Sequence, residues 1–473
     1  MSVTTTRVTT MAEAMAQFAA TASYNAMSEA AREQLKLRVL DALACAIAAL
    51  DGPPITILRA HVHALGRSGA CRLIGGGRAA PDRAAFVNSA LVRYLDFNDA
   101  YLAKGETCHP SDNLGAVLAA ADFAEASGSD FLAALATSYQ VQCRLSEAAP
   151  VRSAGFDHVT QGTYAVAAGV GRALALDPVR LANAIGIAGT AFNALRVTRT
   201  GVLSQWKGLA YPNMAGAVTG TTLLARRGIT GPHEVFEGEK GFMDAVAGCF
   251  ELDWSTEDLE AVTRTILKKY NAEIHAQSAI GALLALRART PFDAAEIQDI
   301  ELAIFNVAYH IIGGGEEGDK TIVGTKEAAD HSLPYLLAVA SLDGDVTPAQ
   351  FLPARIASDD VQQLLRRVVV RPDDSLSRRF PAEMPCRLTV RLHNGRVLTA
   401  EAADYPGFLT RGRTWAEVRR KFDRLTAPYT TPRARDRIAA VVGEMERFRA
   451  RDLTTLLGAV HARGTTASME KSA

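Results

Sequence analysis

Apolar side chains recur at helical spacing along the first half of the chain. In 28–50, for example, Leu35 and Val39 fall on one face of a helix that Ser28 can cap. The same period predicts helices over 28–50, 84–95, 114–127, 130–146, 162–175, 179–193 and 213–227. Up to about residue 265 almost no stretch alternates as a strand does, so this half of the chain is predicted to be helical.

The period changes near residue 298, where apolar residues begin to alternate with polar or small ones, as they do along a strand. The strand-like stretches are Ile300 to Ile304, 366–371, 386–392 and 396–402. Asn394-Gly395 stands between the last two of them, and Asn-Gly between alternating runs is typical of a tight hairpin turn. Helical spacing returns over 415–460.

The order of these elements predicts a mainly α fold. Both ends of the chain build one large all-helical domain, and a smaller α+β lid domain is inserted between them. A chain of 473 residues is long enough for two such domains. The predicted segments are 1–269 and 406–473 for the helical domain and 270–405 for the α+β domain.

Charge and composition exclude several classes of function. Lys and Arg total 51, as do Asp and Glu, so the chain has no net charge and lacks the basic excess of a nucleic-acid binder. A near-neutral chain associates easily with its own copies, because self-repulsion is weak. No stretch has the character of a secretory signal or a membrane span. We therefore expect a cytoplasmic protein with no nucleic-acid or membrane partner.

The cysteines and the motif content narrow the chemistry further. The six cysteines are scattered and contain no Cys-x-x-Cys pair, which argues against an iron–sulfur cluster. Neither a Gly-x-Ser-x-Gly elbow nor a phosphate-binding P-loop occurs, which argues against a serine hydrolase or a nucleoside triphosphatase. No cofactor and no metal are predicted.

The densest polar stretch, 96–113, lies between two predicted helices and contains Asp96, Asp99, His109 and Asp112. Three interpretations fit it. It could be a solvated loop in which Asp112 caps the next helix, or an active-site loop in which His109 exchanges protons beside carboxylates. It could also be a metal site, although its spacing matches no strong metal motif. The amides at the start of the following helix could hold an anion.

Four other segments carry candidate chemistry. Asp157-His158 is either a catalytic pair or a structural histidine with its partner. Lys207, in an apolar and aromatic context, either meets an anion or extends to the surface. Lys268-Lys269 either clamp a carboxylate or stabilise a helix end. Asp330 or Ser332 is predicted to cap the helix that follows them.

Taken in order, five segments resemble the MmgE/PrpD family. They are 94–102 with 109–113, 155–169, 204–215, 268–280 and 329–345. No single segment is highly specific, but a chance match of all five in the same order is improbable. The resemblance extends from about residue 25 to residue 460.

The resemblance implies a fold and a site. The family's fold is a large all-α domain with a smaller α+β lid, assembled as a homodimer, with the pocket between the two domains and without a metal or an iron–sulfur cluster. The catalytic positions that it implies are Asp96, His109, His158, Lys207 and Lys268, and the substrate-binding positions are Asp99, Ala100, His275, Tyr309 and His331.

Two positions depart from the family pattern. Ala100 stands where the family commonly has threonine, so a hydroxyl that could contact the substrate is missing. Tyr270-Asn271 stands where the family commonly has Tyr-Pro, which could relax the junction between the domains. Both departures bear on the substrate more than on the fold.

The activity that the resemblance implies is cofactor-independent chemistry on a small polycarboxylic acid. Dehydration of 2-methylcitrate to 2-methyl-cis-aconitate, a step of propionate catabolism, ranks first. Decarboxylation of cis-aconitate, epimerisation of iminodisuccinate and non-catalytic binding of an organic acid stay open. In the dehydration, Lys207 and Lys268 would hold carboxylates, Asp96 would orient a histidine or bind the hydroxyl, and His109 and His158 would divide the acid and base roles.

Overall fold

The structure is a computed structural model that describes residues 9–66 and 68–462. Most of the chain is helical, as predicted. The longer helices are α1 (Met11–Thr21), α2 (Glu29–Ala48), α3 (Pro53–Ala64), α4 (Pro81–Tyr94), α5 (Leu114–Phe123), α6 (Gly128–Ala148), α7 (Val159–Ala173), α8 (Pro178–Ala191), α9 (Trp206–Arg226), α10 (Gln277–Arg289), α11 (Leu333–Asp343), α12 (Asp359–Leu365), α13 (Trp415–Thr426), α14 (Pro432–Gly443) and α15 (Ala450–Leu457).

The helices predicted from the apolar period are confirmed, although some of their ends differ. Ser28 caps α2, since its hydroxyl accepts a hydrogen bond from the backbone nitrogen of Ala31 at 3.0 Å. Helix α9 begins at Trp206 rather than at 213, because Pro212 removes one backbone donor without ending the helix. This shift places the Lys207 segment on the first turn of a helix.

Four strands are found where alternation predicts them: β5 (Ile297–Ile304), β6 (Val368–Pro372), β7 (Cys386–Leu392) and β8 (Val397–Ala402). Four strands of two residues each, β1 (Cys71–Arg72), β2 (Arg78–Ala79), β3 (Tyr101–Leu102) and β4 (Thr107–Cys108), were not predicted, because they are too short to show alternation. Strands β5 to β8 form one sheet in the order β6-β5-β7-β8, in which β5 and β6 are parallel and the other pairs are antiparallel. The predicted hairpin turn joins β7 to β8, where Gly395 has a left-handed φ of 83°.

Buried apolar side chains form two large clusters. The first draws on residues from Ala12 to Leu267 and again from Val418 to Val460, so both ends of the chain contribute to it. The second draws on residues from Ile266 to Phe408, together with Ala100. These clusters support the proposed division into a helical domain and an inserted α+β domain, whose boundaries remain a prediction.

Helices α4 and α5 hold the polar stretch 96–113 at both of its ends. They pack so closely that a Cβ added at Gly115 would lie 2.2 Å from the backbone nitrogen of Ser89. Between them the stretch forms the short β3–β4 hairpin and is buried except around Lys104 and Gly105. The solvated-loop interpretation of this stretch is therefore wrong.

Within residues 9–66 and 68–462, no single helix combines the length and the apolar character needed to cross a bilayer. Helices α2 and α3 meet those criteria only as a pair, and they are bent by 85° relative to each other. The homodimer and the cytoplasmic location stay predictions.

Candidate active site

A cavity between segments of the two apolar clusters is lined by titratable side chains, some of which belong to the 96–113 stretch. Its free volume is about 40 Å³, or about 440 Å³ when the open space at its mouth is counted. Its lining consists of four arginines, four histidines, four acids and two other residues: Arg93, Arg152, Arg196, Arg199, His109, His158, His275, His331, Asp96, Glu106, Glu273, Glu317, Thr107 and Ile311. The four arginines are balanced by four acids, so the lining is densely charged but carries no net formal charge while its histidines are neutral.

A larger groove, with a free volume of about 370 Å³, is lined in part by Lys268. Its charged lining residues are Asp41, Lys268, Lys269, Asp345, Arg413, Glu417, Arg420, Lys421 and Arg424. No histidine lines this groove within the described part of the chain, so it lacks a side chain that ordinarily exchanges protons near neutral pH. We therefore place the candidate active site in the smaller cavity.

His109 is held by the backbone of the loop that it closes. Its Nδ1 lies 2.8 Å from the carbonyl oxygen of Asp99, and because that oxygen can only accept, Nδ1 carries the proton. Its Nε2 is therefore left with a free lone pair in the neutral ring. Burial, followed by the charges of Arg93 and Lys268, lowers the pKa of His109 well below its usual value, which favours the neutral form.

The carboxylate of Asp99 fixes this loop instead of lining the cavity. Its Oδ1 accepts hydrogen bonds from the backbone nitrogen and the hydroxyl of Ser111, at 3.0 and 2.6 Å, and its Oδ2 accepts one from the Tyr139 hydroxyl at 2.7 Å. Asp99 thus positions His109 through its carbonyl oxygen, whereas the sequence predicted that it contacts the substrate.

His158 has the opposite arrangement of free and bonded ring nitrogens. Its Nε2 lies 3.0 Å from Nη2 of Arg199, and because a guanidinium can only donate, Nε2 accepts and Nδ1 carries the proton. That Nδ1 is buried and has no hydrogen-bond partner among the described residues. The rings of His109 and His158 lie 5.5 Å apart, centroid to centroid, so one small molecule could contact both.

Asp157, next to His158 in the sequence, pairs with two arginines of the cavity. Its carboxylate accepts a hydrogen bond from Nε of Arg199, and its Oδ2 lies 3.6 Å from Nη1 of Arg196. The predicted Asp157-His158 pair is therefore part of a larger group in which an arginine lies against both members. Burial lowers the pKa of His158 to about 3, although the adjacent Asp157 charge opposes the shift.

This low pKa predicts the titration behaviour of His158 in solution. In the ligand-free protein its ring should stay neutral from pH 8 to about pH 4, because burial disfavours the charged form. A bound polycarboxylate should raise the pKa, since an anion nearby favours the imidazolium. NMR titration of ¹³C-labelled histidine, assigned with His158→Gln, measures both values. An ordinary midpoint near 6.5 without ligand would contradict the burial that causes the shift.

Asp96 lies at the centre of a buried ion network. Its Oδ1 accepts hydrogen bonds from Arg93 Nη1 at 2.8 Å and Lys268 Nζ at 2.6 Å, and its Oδ2 lies 3.5 Å from Lys207 Nζ. Burial alone would raise its pKa, but Arg93, Lys268 and Lys207 outweigh burial and hold the pKa well below the usual range. Its backbone is left-handed, with φ of 54°, a conformation that aspartate adopts more readily than most residues.

The two predicted lysines approach Asp96 from outside the cavity lining. Lys207 Nζ donates to Asp330 Oδ1 at 2.7 Å, and Lys268 Nζ also donates to the backbone oxygen of Asp96 at 2.7 Å. Neither lysine lines the cavity, and both are already paired with internal carboxylates. In this structure they are therefore not free to hold carboxylates of a substrate, which was the role predicted for them.

Of the two residues predicted to cap the helix after residue 332, Ser332 does so and Asp330 does not. Ser332 caps α11 by accepting a hydrogen bond from the backbone nitrogen of Tyr335 at 3.0 Å. Asp330 does not cap it. Its carboxylate instead binds Lys207, Lys326 and Nδ1 of His331, at 2.7, 2.6 and 2.8 Å.

Asp96, Asp330 and His331 form a group whose ligand atoms lie within 4.8 Å of one another, close enough to hold a metal ion. Lys207 Nζ lies 2.7 Å from Asp330 Oδ1, 2.8 Å from His331 Nδ1 and 3.5 Å from Asp96 Oδ2. The ammonium thus takes the central position, and a metal ion would have to displace a buried, paired lysine.

The remaining predicted residues divide between the cavity and the second apolar cluster. His275 lines the cavity, with Nδ1 held by Glu273 at 2.7 Å and Nε2 without a partner in the described structure. His331 also lines it. Ala100 and Tyr309 do not; both pack with the second cluster, and the backbone of Ala100 pairs with Ile266. The departure at Ala100 therefore removes no group from the cavity lining.

Several cavity residues were not predicted, above all Arg93, Arg152, Arg196, Arg199 and Glu317. These residues lie outside the polar motifs or within predicted helices, where an arginine or glutamate is common. Their separations along the chain match no known motif. Arg196 and Arg199 follow a predicted helix within a short run of basic residues, which was the one signal available.

The amino-acid sequence was compared with known families and proteins. Residues 13–255 match the MmgE/PrpD N-terminal domain, and residues 270–447 match the MmgE/PrpD C-terminal domain. The chain is 30% identical over 419 residues to a 2-methylcitrate dehydratase of Cupriavidus necator, covering 81% of this chain and 83% of that protein. It is 28% identical over 376 residues to a 2-methylcitrate dehydratase of Salmonella typhi, covering 74% and 75%. It is 26% identical over 371 residues to a cis-aconitate decarboxylase of Mus musculus, covering 73% and 72%.

Proposed function

The chain belongs to the MmgE/PrpD family, and on that premise we propose that it is a cofactor-independent hydro-lyase that dehydrates a small tricarboxylic acid, with 2-methylcitrate as the first candidate. One observation carries the proposal. Two neutral histidines with complementary free nitrogens, a lone pair on His109 and an N–H on His158, lie 5.5 Å apart in a cavity lined by four arginines.

The geometry supports a division of the acid and base roles. His109 Nε2 takes the proton from the carbon next to a substrate carboxylate, because its lone pair is free. The hydroxyl on the neighbouring carbon leaves as water after it receives a proton from His158. That step uses the imidazolium form of His158, so Nε2 takes up a proton from solvent as the acid binds and gives up its contact with Nη2 of Arg199. The negative charge of the bound acid favours this protonation. The arginines stabilise the negative charge that develops on the carboxylate as the carbon loses its proton.

The lysines have a different role in this proposal from the predicted one. Lys207 and Lys268 keep Asp96 ionised and fixed, and the network of these three residues supports Arg93 and His331 at the cavity wall. Asp96 Oδ2 is buried without a hydrogen-bond partner among the described residues, so it can accept a hydrogen bond from the hydroxyl of the substrate.

Turnover of purified protein tests the proposal. Incubation with 2-methylcitrate should produce the ultraviolet absorbance of a conjugated unsaturated acid, and NMR in deuterated water should identify the product. Parallel reactions with citrate, cis-aconitate and iminodisuccinate establish the preferred acid. Carbon dioxide release from cis-aconitate would replace dehydration by decarboxylation, and deuterium incorporation without net conversion would indicate an epimerase. Thermal stabilisation by every acid without any reaction would indicate a binding protein.

A further inference from the structure

Glu317 places a carboxylate from the second-cluster segment against two arginines of the cavity. Its Oε1 accepts a hydrogen bond from Arg196 Nη2 at 2.5 Å and one from Arg152 Nη2 at 3.3 Å. The side chain is buried, with 2% of its surface exposed. All three residues line the cavity, so this ion pair lies inside the candidate active site.

The pairing of Glu317 is incomplete. Its Oε2 is buried and has no hydrogen-bond partner within residues 9–66 and 68–462. An ion pair that serves only to join two parts of a fold ordinarily satisfies both carboxylate oxygens, because a buried oxygen without a partner is destabilising. The half-satisfied carboxylate indicates that the arginines are arranged for a different or additional anion.

The ion pairs of the arginines also indicate a place for an additional anion. The ion pair with Glu317 is the one that Arg152 makes in the described structure, and Arg196 shares Asp157 with Arg199. Without Glu317, Arg152 would have no ion-pair partner in the described structure, and Arg196 would keep a share of Asp157 and the more distant charge of Glu106. Guanidinium groups bind carboxylates through two parallel hydrogen bonds, which gives both affinity and orientation.

We propose that Arg152 and Arg196 form a subsite for one carboxylate of the substrate, and that Glu317 occupies this subsite in the ligand-free protein until the substrate displaces it. The inference rests on the proposed function, since it names the groups that receive a polycarboxylic acid. Displacement exchanges one carboxylate for another and conserves the charge around the arginines. It also releases a contact between the segments of the two apolar clusters, so binding and release of the acid are coupled to that contact.

Binding of tricarballylate, a tricarboxylate without the hydroxyl that dehydration removes, tests the subsite apart from catalysis. Glu317→Gln should bind it about 10-fold more tightly than the wild type, because the competing charge is gone. Glu316→Gln removes the same charge from the adjacent exposed position and should leave the Kd unchanged. Arg152→Gln and Arg196→Gln should each weaken binding about 10-fold or more. Isothermal titration calorimetry at low ionic strength measures all five proteins.

Several outcomes would overturn the subsite. Weaker or unchanged binding by Glu317→Gln would mean that Glu317 aligns the arginines for another purpose. The same conclusion holds if neither the wild type nor Glu317→Gln binds tricarballylate. If Glu317→Gln does not fold, unchanged binding by Arg152→Gln refutes the subsite, and weakened binding supports it. If the wild type dehydrates its substrate but Glu317→Gln does not bind tricarballylate more tightly, the subsite alone is refuted. If Glu317→Gln binds it more tightly but the wild type converts none of the acids, the proposed dehydration alone is refuted.

Discussion

His109→Ala and His158→Ala should each lower kcat with 2-methylcitrate by about 100- to 10,000-fold, the range that general acid–base groups contribute. The loss follows from their geometry, since both rings line the same cavity and each has one nitrogen without a hydrogen-bond partner in the described structure. Both variants should remain folded, because each ring makes one side-chain hydrogen bond in the described structure and borders the cavity. Steady-state kinetics on the purified variants measure the effect.

Isotope exchange distinguishes the base, His109, from the acid, His158. With His109 as the base, His158→Ala should still exchange the carbon-bound proton of the substrate with deuterated water, whereas His109→Ala should not. His61→Ala removes an exposed histidine of α3 and serves as the control, with unchanged kcat and exchange. Near-wild-type activity in both active-site variants would rule out the assignment, and exchange lost only in His158→Ala would reverse the two roles.

Local patterns were enough to predict the helices, the hairpin and the importance of the 96–113 stretch. Helix periodicity and the Asn394-Gly395 turn depend on neighbouring residues, and so they can be identified without a structure. His109 and His158 were also identified, because a histidine among polar residues between helices is conspicuous in the sequence. The structure brings these two rings within 5.5 Å of each other.

The partners of the charged residues could not be predicted in the same way. Lys207 pairs with Asp330, 123 positions away, and Lys268 pairs with Asp96, 172 positions away. An isolated lysine in an apolar sequence indicates that an anion is near, but it does not indicate whether that anion is a substrate or another side chain. The cavity arginines were missed for a related reason, since only the folded chain collects them around one space.

The largest effect on stability is expected at the pair of Asp96 and Lys268. Lys268→Met should lower the free energy of unfolding by about 3–5 kcal/mol, because it leaves a buried carboxylate with fewer of its cations. Asp96→Asn should have a similar cost, since Asp96 is the one acidic partner of Lys268 in the described structure and the lysine side chain is 0% exposed. Chemical denaturation followed by circular dichroism measures both.

The double variant Asp96→Asn/Lys268→Met separates pairing from packing. It removes one charge of each sign, and the neighbouring cations keep their other acids, since Arg93 Nε still lies 3.6 Å from Asp112 and Lys207 Nζ lies 2.7 Å from Asp330. Its loss of stability should therefore be smaller than the sum of the two single losses by at least about 1 kcal/mol. Lys104→Met, at an exposed position of the same loop, should change stability by less than about 0.5 kcal/mol. Additive losses would mean that the two side chains stabilise the fold independently, and the role of Lys268 as the counter-charge that keeps Asp96 ionised in the cavity wall would have to be abandoned.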